Sequence, residues 1–391
     1  MEIRTITAGA REEDVEQAAR AAMRARERLT AAGYAVQTLR LALAATGFNS
    51  CGDFATIARG VEQRALDAGF DYVSIGQVEG ERLDALPEAI AATETLFASA
   101  PIALADGTVR PETVRAAAAA IAAIGARTAD GFGNLRFAAS ACVGPGSPFF
   151  PAAYHDGGVP WVAVGPEAAA LAVEATTDRR PPTADSQKEA MTLVGRRPPV
   201  VAERLEALTS LIERHDARIA AALKGFDAET SARFGGCDWS LAPHPDPARS
   251  VGRAVEALSG VPFGAWGTLA AVRGLTSAIR AARAAQLGFS GVMLPVLEDE
   301  TLARRNAEGR YTLRDLLAFS AVCGTGLDTI PLPGGATPEQ IAGVLAEVAA
   351  LASALRKPLT ARLLPIPGLK AGDMTAFDFP YFVNTRVMEI A

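Results

Sequence analysis

The sequence predicts one α/β domain in which a mostly buried sheet is wrapped by helices. Two observations carry this. Strand-like and helix-like stretches alternate over nearly the whole chain, the pattern of a sheet covered on its faces. The profile is also globular, with 391 residues of which 49% are hydrophobic and 21% charged. That length exceeds an ordinary domain, but α/β barrels reach it as single units, so residues 1–391 are read as one domain.

The elements follow in order. Ile3–Thr7 reads as a strand, and Val15, Ala18, Ala19, Ala22, Met23 and Leu29 recur at helical spacing before Gly33. Ala35–Ala44 reads as a strand, and Cys51-Gly52-Asp53 as a turn-rich loop. Phe54–Ala68 reads as a helix ended by Gly69, and Asp71–Gly76 as a buried strand. A helix over Leu86–Ala98, a strand over Pro101–Ala105 and a helix from Pro111 to Gly125 come next. Proline suits the first helical turn, where its missing N–H costs nothing. Leu135–Ala141 and Trp161–Val164 read as strands, the second entered through Tyr154-His155-Asp156-Gly157-Gly158.

Asp178–Pro199 breaks the rhythm with Arg-Arg-Pro-Pro twice and reads as an exposed excursion. The longest helix, Val200–Leu223, follows, with His215 on its apolar stripe. Further helices are expected at Ala248–Leu258, Thr268–Ala285, Leu313–Ser320 and Pro338–Leu355. Thr337 and Gln340 form a capping box for the last. Strands are expected at Cys237–Leu241, Gly291–Val296, Leu327–Pro331 and Thr360–Leu364.

Several function classes are disfavoured. The net charge of −6 and the absence of Lys/Arg runs argue against nucleic acid, and 6% aromatic content against base-stacking platforms. The N-terminus has no basic-then-apolar segment, and no window of eighteen uninterrupted apolar residues occurs, so a cytoplasmic chain without a membrane partner is expected. Cys51, Cys142, Cys237 and Cys323 make no Cys-x-x-Cys pair and read as reduced thiols. Gly324-Thr325-Gly326 is too short for a dinucleotide fingerprint and no phosphate-binding loop motif is present, so no nucleotide cofactor is expected.

Six ordered segments carry a resemblance. They are Ile3-Arg4-Thr5-Ile6-Thr7; Ser147-Pro148-Phe149 leading to Tyr154-His155-Asp156-Gly157; and Asp238-Trp239-Ser240-Leu241-Ala242-Pro243-His244-Pro245, followed by Ser250-Val251-Gly252. Then come Gly264-Ala265-Trp266-Gly267-Thr268, Gly291 to Glu298-Asp299-Glu300, and Cys323-Gly324-Thr325-Gly326-Leu327-Asp328 with Thr337-Pro338-Glu339, Pro365 and Gly372-Asp373. Together they resemble domain-of-unknown-function family 711, also called uncharacterised protein family 0210. The resemblance implies a ten-stranded α/β barrel like that of pyruvate formate-lyase and the glycyl radical enzymes, made of two five-stranded halves with helices outside. It brings no established activity. The excursion at Asp178–Pro199 departs from the family pattern and reads as an insertion.

Glycyl radical chemistry is not expected. It needs a glycine near the C-terminus in an Arg-Val-x-Gly-Tyr-like segment, but Arg386-Val387 is followed by Met388-Glu389 and the last glycine is Gly372. Fold does not carry function with it.

The remaining candidates are polar groups at strand ends. Glu298-Asp299-Glu300 follows an apolar strand and reads either as general acid–base and metal ligands or as acids at a helix N-terminus. Asp238 in an apolar strand must be paired or ligated; it is read as a catalytic acid or base, with an arginine such as Arg249 or Arg253 as the structural alternative. His155 beside Asp156 is read as a proton carrier or ligand, or as a loop imidazole bound to backbone. The expected catalytic set is therefore Asp238, Glu298 and His155. Ser240, His244, Trp266 and Arg4 are the expected substrate contacts, and Asp299 and Glu300 the ligands of a divalent cation, Mg²⁺ or Ca²⁺. The function expected is a hydrolase or lyase acting on a small polar, carbohydrate-like substrate in a homodimer. The alternatives are a non-catalytic metabolite- or metal-binding regulator, and a thiol enzyme using Cys323 or Cys51.

Overall fold

The computed structural model describes residues 1–44, 53–177 and 199–390. The fold is mixed α/β. Nine strands form one sheet: β1 (Ile3–Ala10), β2 (Val36–Leu43), β3 (Tyr72–Gln77), β4 (Leu96–Ala103), β5 (Phe137–Ala141), β6 (Trp161–Pro166), β7 (Arg233–Cys237), β8 (Gly326–Pro333) and β9 (Leu359–Ile366). Their order is β7-β6-β1-β2-β3-β4-β5-β9-β8. All neighbours are parallel except β1 with β6 and β5 with β9, which are antiparallel.

Period-two alternation sorts the first five strands into two faces. Leu39, Leu41 and Leu43 of β2 join the helix-side core, as do Val73 and Ile75 of β3 and Leu96, Ala98, Ala100 and Ile102 of β4. Each fully buried leucine, isoleucine or valine there contributes about 1.5–3 kcal/mol. Helices Val15–Ala31 (α1), Phe54–Asp67 (α2), Glu81–Ala91 (α3) and Pro111–Arg127 (α4) cover that face. The residues between them point the other way: Thr38 and Arg40, Tyr72 and Ser74, Phe97 and Ser99. Across this inner face runs the segment 147–154, tied by Thr7 Oγ1 to the Pro148 carbonyl at 3.4 Å and by Ser74 Oγ to the Ala153 carbonyl at 2.7 Å.

The expected ten-stranded barrel meets a nine-stranded sheet among the described residues. Gly291–Val296, expected as a strand, makes only single bridges, Leu241 with Val292 and Pro295 with Asp328. Two features keep its ladder short. Pro295 has no N–H to donate. Gly291 also touches Gly324 so closely that a Cβ on either would lie within 3.0 Å of backbone. The bonds that do form are Leu241 N to Gly291 O at 2.9 Å, Gly324 N to Val292 O at 2.5 Å and Val296 N to Asp328 O at 3.1 Å.

Other expectations are corrected locally. The helix expected over Leu86–Ala98 occupies Glu81–Ala91, and the strand after it begins at Leu96. Alanine content favours helix, but Glu62 accepts from Glu94 N at 2.7 Å and from Thr95 N at 2.5 Å and fixes a turn there. The strand expected at Cys237–Leu241 is Arg233–Cys237, and the helix expected to Ala285 stops at Ala281. Short helices at Ala169–Thr176 and Phe226–Thr230 were not anticipated, whereas the helix at Glu300–Ala307 fits the alternative reading of its acids as a helix N-terminus. The capping box of Thr337 and Gln340 is present in both directions. That helix, Pro338–Leu355, is long enough to cross a bilayer, with mean hydropathy 1.2. It packs on α4 and on β4 and β9, burying Ile341, Leu345, Val348, Ala349 and Ala352. The excursion expected from Asp178 lies, through residue 198, outside the described residues, as does Cys51.

The Gly291–Gly324 contact is testable. Gly324→Ala is expected to cost about 1–3 kcal/mol by overpacking, read as a lowered urea midpoint with unchanged slope.

Candidate active site

The inner face encloses a cavity of about 500 Å³. It lies at the amino ends of β1–β5, lined by Arg4, Thr38, Arg40, Tyr72, Phe97 and Arg136. The same hollow meets the carboxyl ends of β6 and β7, through Gly165, Pro166, Asp238 and Ser240. Both ends share one mouth because β6 runs against β1, with Ile3 opposite Pro166. Met293, Glu298 and Arg362 line it from the chain that follows. Pro148, Phe149 and Phe150 of the crossing segment reach it as well, and Phe379 and Tyr381 come from the C-terminal stretch.

Arg362 organises the charged side. Its Nε donates to Asp328 Oδ1 at 2.6 Å and its Nη2 to Glu298 Oε1 at 2.7 Å. All three side chains are shielded, with Asp328 fully buried. Burial pushes the Glu298 carboxyl above the usual range; Arg362 opposes this and the like charge of Asp328 adds to it. Arg4 and Arg40 add smaller opposing pulls, and burial outweighs all three guanidinium groups. Asp328 Oδ2 is buried with no hydrogen-bond partner, whereas Glu298 faces the cavity.

Arg40 is different. Its Nε donates to Thr38 Oγ1 at 3.1 Å, and its guanidinium lies 5.5 Å from the Tyr72 ring centre and 5.4 Å from that of Phe150. Burial, with Arg4 adding repulsion, pulls its pKa down to about 10. Arg4 donates to the Pro243 carbonyl at 2.6 Å. Beside it the buried Glu167 accepts from Arg249 at 2.8 Å and from Gln37 at 2.9 Å. Burial would raise the Glu167 pKa, but Arg4 and Arg249 hold it below the usual range.

Asp238 lines the same cavity with its oxygens already engaged. Oδ1 accepts from Ser240 Oγ at 2.6 Å, Ser240 N at 3.0 Å and Ser290 N at 2.9 Å, and Oδ2 from Phe289 N at 3.1 Å. Burial raises its pKa against those donors. Gly288 sits directly on the carboxylate: a Cβ there would be 2.2 Å from Oδ2. The structural pairing anticipated with Arg249 or Arg253 does not occur; backbone amides take that role.

The other sequence candidates lie elsewhere. His155 is at the carboxyl end of β2, bridged to Ala44, and is not among the residues lining the cavity. Its Nδ1 accepts from Gly157 N at 3.0 Å, so the other nitrogen carries the proton and faces the Val159 carbonyl at 3.3 Å. His244 is also outside the lining; it accepts from Asp246 N at 3.1 Å and packs against the Tyr381 ring at 6.0 Å. Trp266 is fully exposed in the turn before Thr268–Ala281. Asp299 caps two helices, accepting from Leu302 N at 3.0 Å, Ser250 Oγ at 2.7 Å, Val251 N at 2.6 Å and Gly252 N at 3.3 Å. Glu300 pairs with Arg304 at 3.1 Å. Among the described residues no three His, Cys, Asp or Glu side chains cluster as metal ligands. Cys323 is fully buried, accepting from Gly326 N at 3.3 Å. His215 packs on Tyr34, 2.9 Å from its hydroxyl.

Of the expected set the cavity therefore gathers Arg4, Asp238, Ser240 and Glu298. Sequence reading missed Arg40, Arg362 and Asp328. The available signal was the presence of charged residues in the strands expected at Ala35–Ala44 and Thr360–Leu364.

Comparison with known proteins gives a family. Residues 1–378 match the family model described as "Uncharacterised ACR (DUF711)". A "UPF0210 protein" of Pyrobaculum islandicum is 33% identical over 319 residues, covering 81% of this chain and 67% of the relative. Another, of Desulforudis audaxviator, is 30% identical over 375 residues, 91% of this chain and 78% of the relative. A third, of Methanopyrus kandleri, is 32% identical over 346 residues.

Asp299 makes a linkage prediction. Burial pushes its pKa up to about 6, with the Leu302 amide and Ser250 hydroxyl opposing. A carboxyl whose folded value is raised adds stability below its unfolded value near 4 and loses it as pH rises to the folded value. The stability advantage of wild type over Asp299→Asn is thus expected to shrink between pH 4 and pH 6, by up to roughly 3 kcal/mol. Urea unfolding across that range checks it.

Proposed function

The chain belongs to the DUF711 (UPF0210) family, and from that premise we propose that it is an enzyme, a hydrolase or lyase working by acid–base chemistry within the cavity. The observation that carries this is Glu298: a cavity-facing carboxyl, held at 2.7 Å by Arg362 and pushed up in pKa by burial. Burial raises its proton affinity, and a positioned, water-shielded carboxyl that keeps its proton to higher pH than a free one is what a general acid needs. Arg362 aims the carboxyl, and Asp328 keeps its proton on by like-charge repulsion. Asp238 and Ser240 tie the chain after β7 to the 288–290 turn and so hold one wall in place.

The same reading takes Gly291–Val296 as a tenth stave between β7 and β8, closing the sheet into the ring of two five-stranded halves. Its support is that this segment bridges Leu241 on one side and Asp328 on the other. A closed ring excludes bulk water from the hollow and strengthens every charge interaction inside.

The test is turnover. Wild-type protein incubated with a fractionated cell extract is expected to deplete a small metabolite, followed by mass spectrometry, and Glu298→Gln to slow this by about 10²–10⁴-fold. Equal depletion by the variant would remove Glu298 from the chemistry. A metabolite retained by the protein but never consumed would favour the regulator. A pH profile gives a second check. As a donor Glu298 must be protonated, so kcat/KM falls as pH rises through its pKa. In Asp328→Asn the repelling charge is gone, and that alkaline limb is expected to move to lower pH.

A further inference from the structure

We propose that the cavity takes a small organic anion, its carboxylate or phosphate group seated on Arg40 and Arg4 and its flat apolar body lying against Phe97, Phe149 and Met293. This names the substrate class of the site proposed above and rests on that site being the functional one; it does not depend on Glu298 as the acid.

The argument is a balance of charge. Four arginines and three acids line the hollow: Arg4, Arg40, Arg136 and Arg362 against Glu94, Asp238 and Glu298. Arg362 is spoken for by Glu298 and Asp328. Arg136 is bound by the Ile90 and Leu96 carbonyls and Thr93 Oγ1, at 2.7, 3.3 and 3.1 Å. Asp238 is neutralised locally by four donors. Arg4 shares the field of Glu167, which Arg249 already pairs. Arg40 is left with one hydroxyl and two ring faces, and among the described residues it has no ion pair.

Arg40 is half-buried, and the more distant Glu298 only partly offsets its loss of hydration. Among the described residues its Nη groups have no acceptor, and a planar fork of that kind matches carboxylate and phosphate oxygens. The Tyr72 and Phe150 rings flank the fork and limit the entropy lost when an anion binds. The neighbouring wall is aromatic: Phe97 packs edge-on to Tyr72 at 5.5 Å and to Phe150 at 5.3 Å. A flat body carrying one oxyanion satisfies both surfaces at once.

Calorimetric titration of the full-length protein with benzoate, phenyl phosphate and benzamide tests this. Benzoate or phenyl phosphate is expected to bind at least about tenfold more tightly than benzamide, the neutral isostere, and the better of the two identifies the oxyanion. Arg40→Gln is expected to lose at least about tenfold in that affinity, while the free variant melts close to wild type, since among the described residues Arg40 has no ion pair to lose. Arg40→Lys is expected to retain the preference for the anion. Benzamide binding as well as benzoate, Arg40→Gln binding like wild type, or no binding of either anion at millimolar concentration would overturn the proposal. Glu298→Gln is the control that separates the two readings: it keeps anion binding if the ligand class is right, whatever becomes of turnover.

Discussion

The guanidinium of Arg362 joins three stretches of chain that are distant in sequence. It projects from β9, takes Asp328 from β8 and Glu298 from the segment after Val296, and its third nitrogen reaches the Leu135 carbonyl at 3.4 Å, just before β5. The antiparallel junction of β5 with β9, the approach of residues 291–298 to β8 and the charged wall of the cavity therefore depend on one ion cluster. Such a cluster is poorly replaceable piecemeal: deleting one partner leaves an unpaired buried charge, which costs several kcal/mol in comparable sites, about 3–5.

That cluster works because the sheet has a second face unlike its first. The helix side of β2, β3 and β4 is uninterrupted aliphatic packing. The opposite side carries arginine, serine, threonine and aromatic residues, and the segment 147–154 lies across it as a floor, bonded through Thr7 and Ser74. The floor also explains why His155 is remote from the acids. It sits at the far end of β2, with both ring nitrogens used by its own loop.

How far the sequence was legible follows from this geometry. Alternation and caps located most elements, down to the Thr337–Gln340 box, because those signals are local. The site is not local. Glu298, Asp299 and Glu300 are consecutive, yet one faces the cavity, one is a buried cap and one is a surface partner of Arg304. Nothing in a run of three acids tells which way each points at a strand-to-helix turn. Arg362 lies in a strand whose eight residues are all buried, so alternation could not mark it as inward. Arg40 stands in a recognisable strand, but only the pairing of β2 with β3 puts it opposite Tyr72. Asp238 was rightly flagged as an acid that needs partners; beside the Ser240 hydroxyl these are three backbone amides, which a sequence does not display.

The reversal of direction between β1 and β6 has one more effect. In ordinary parallel sheets, functional groups gather where strands finish. Here the hollow is entered by the beginnings of one set of strands and the finishes of the other. The first set brings Arg4, Arg40 and the ring-bearing wall; the second brings Asp238, Glu298 and Arg362. On the proposed reading, the seat of the oxyanion and the acid are thus encoded in separate stretches of the gene, and a descendant could exchange the charge it grips by altering the first stretch while inheriting the second untouched.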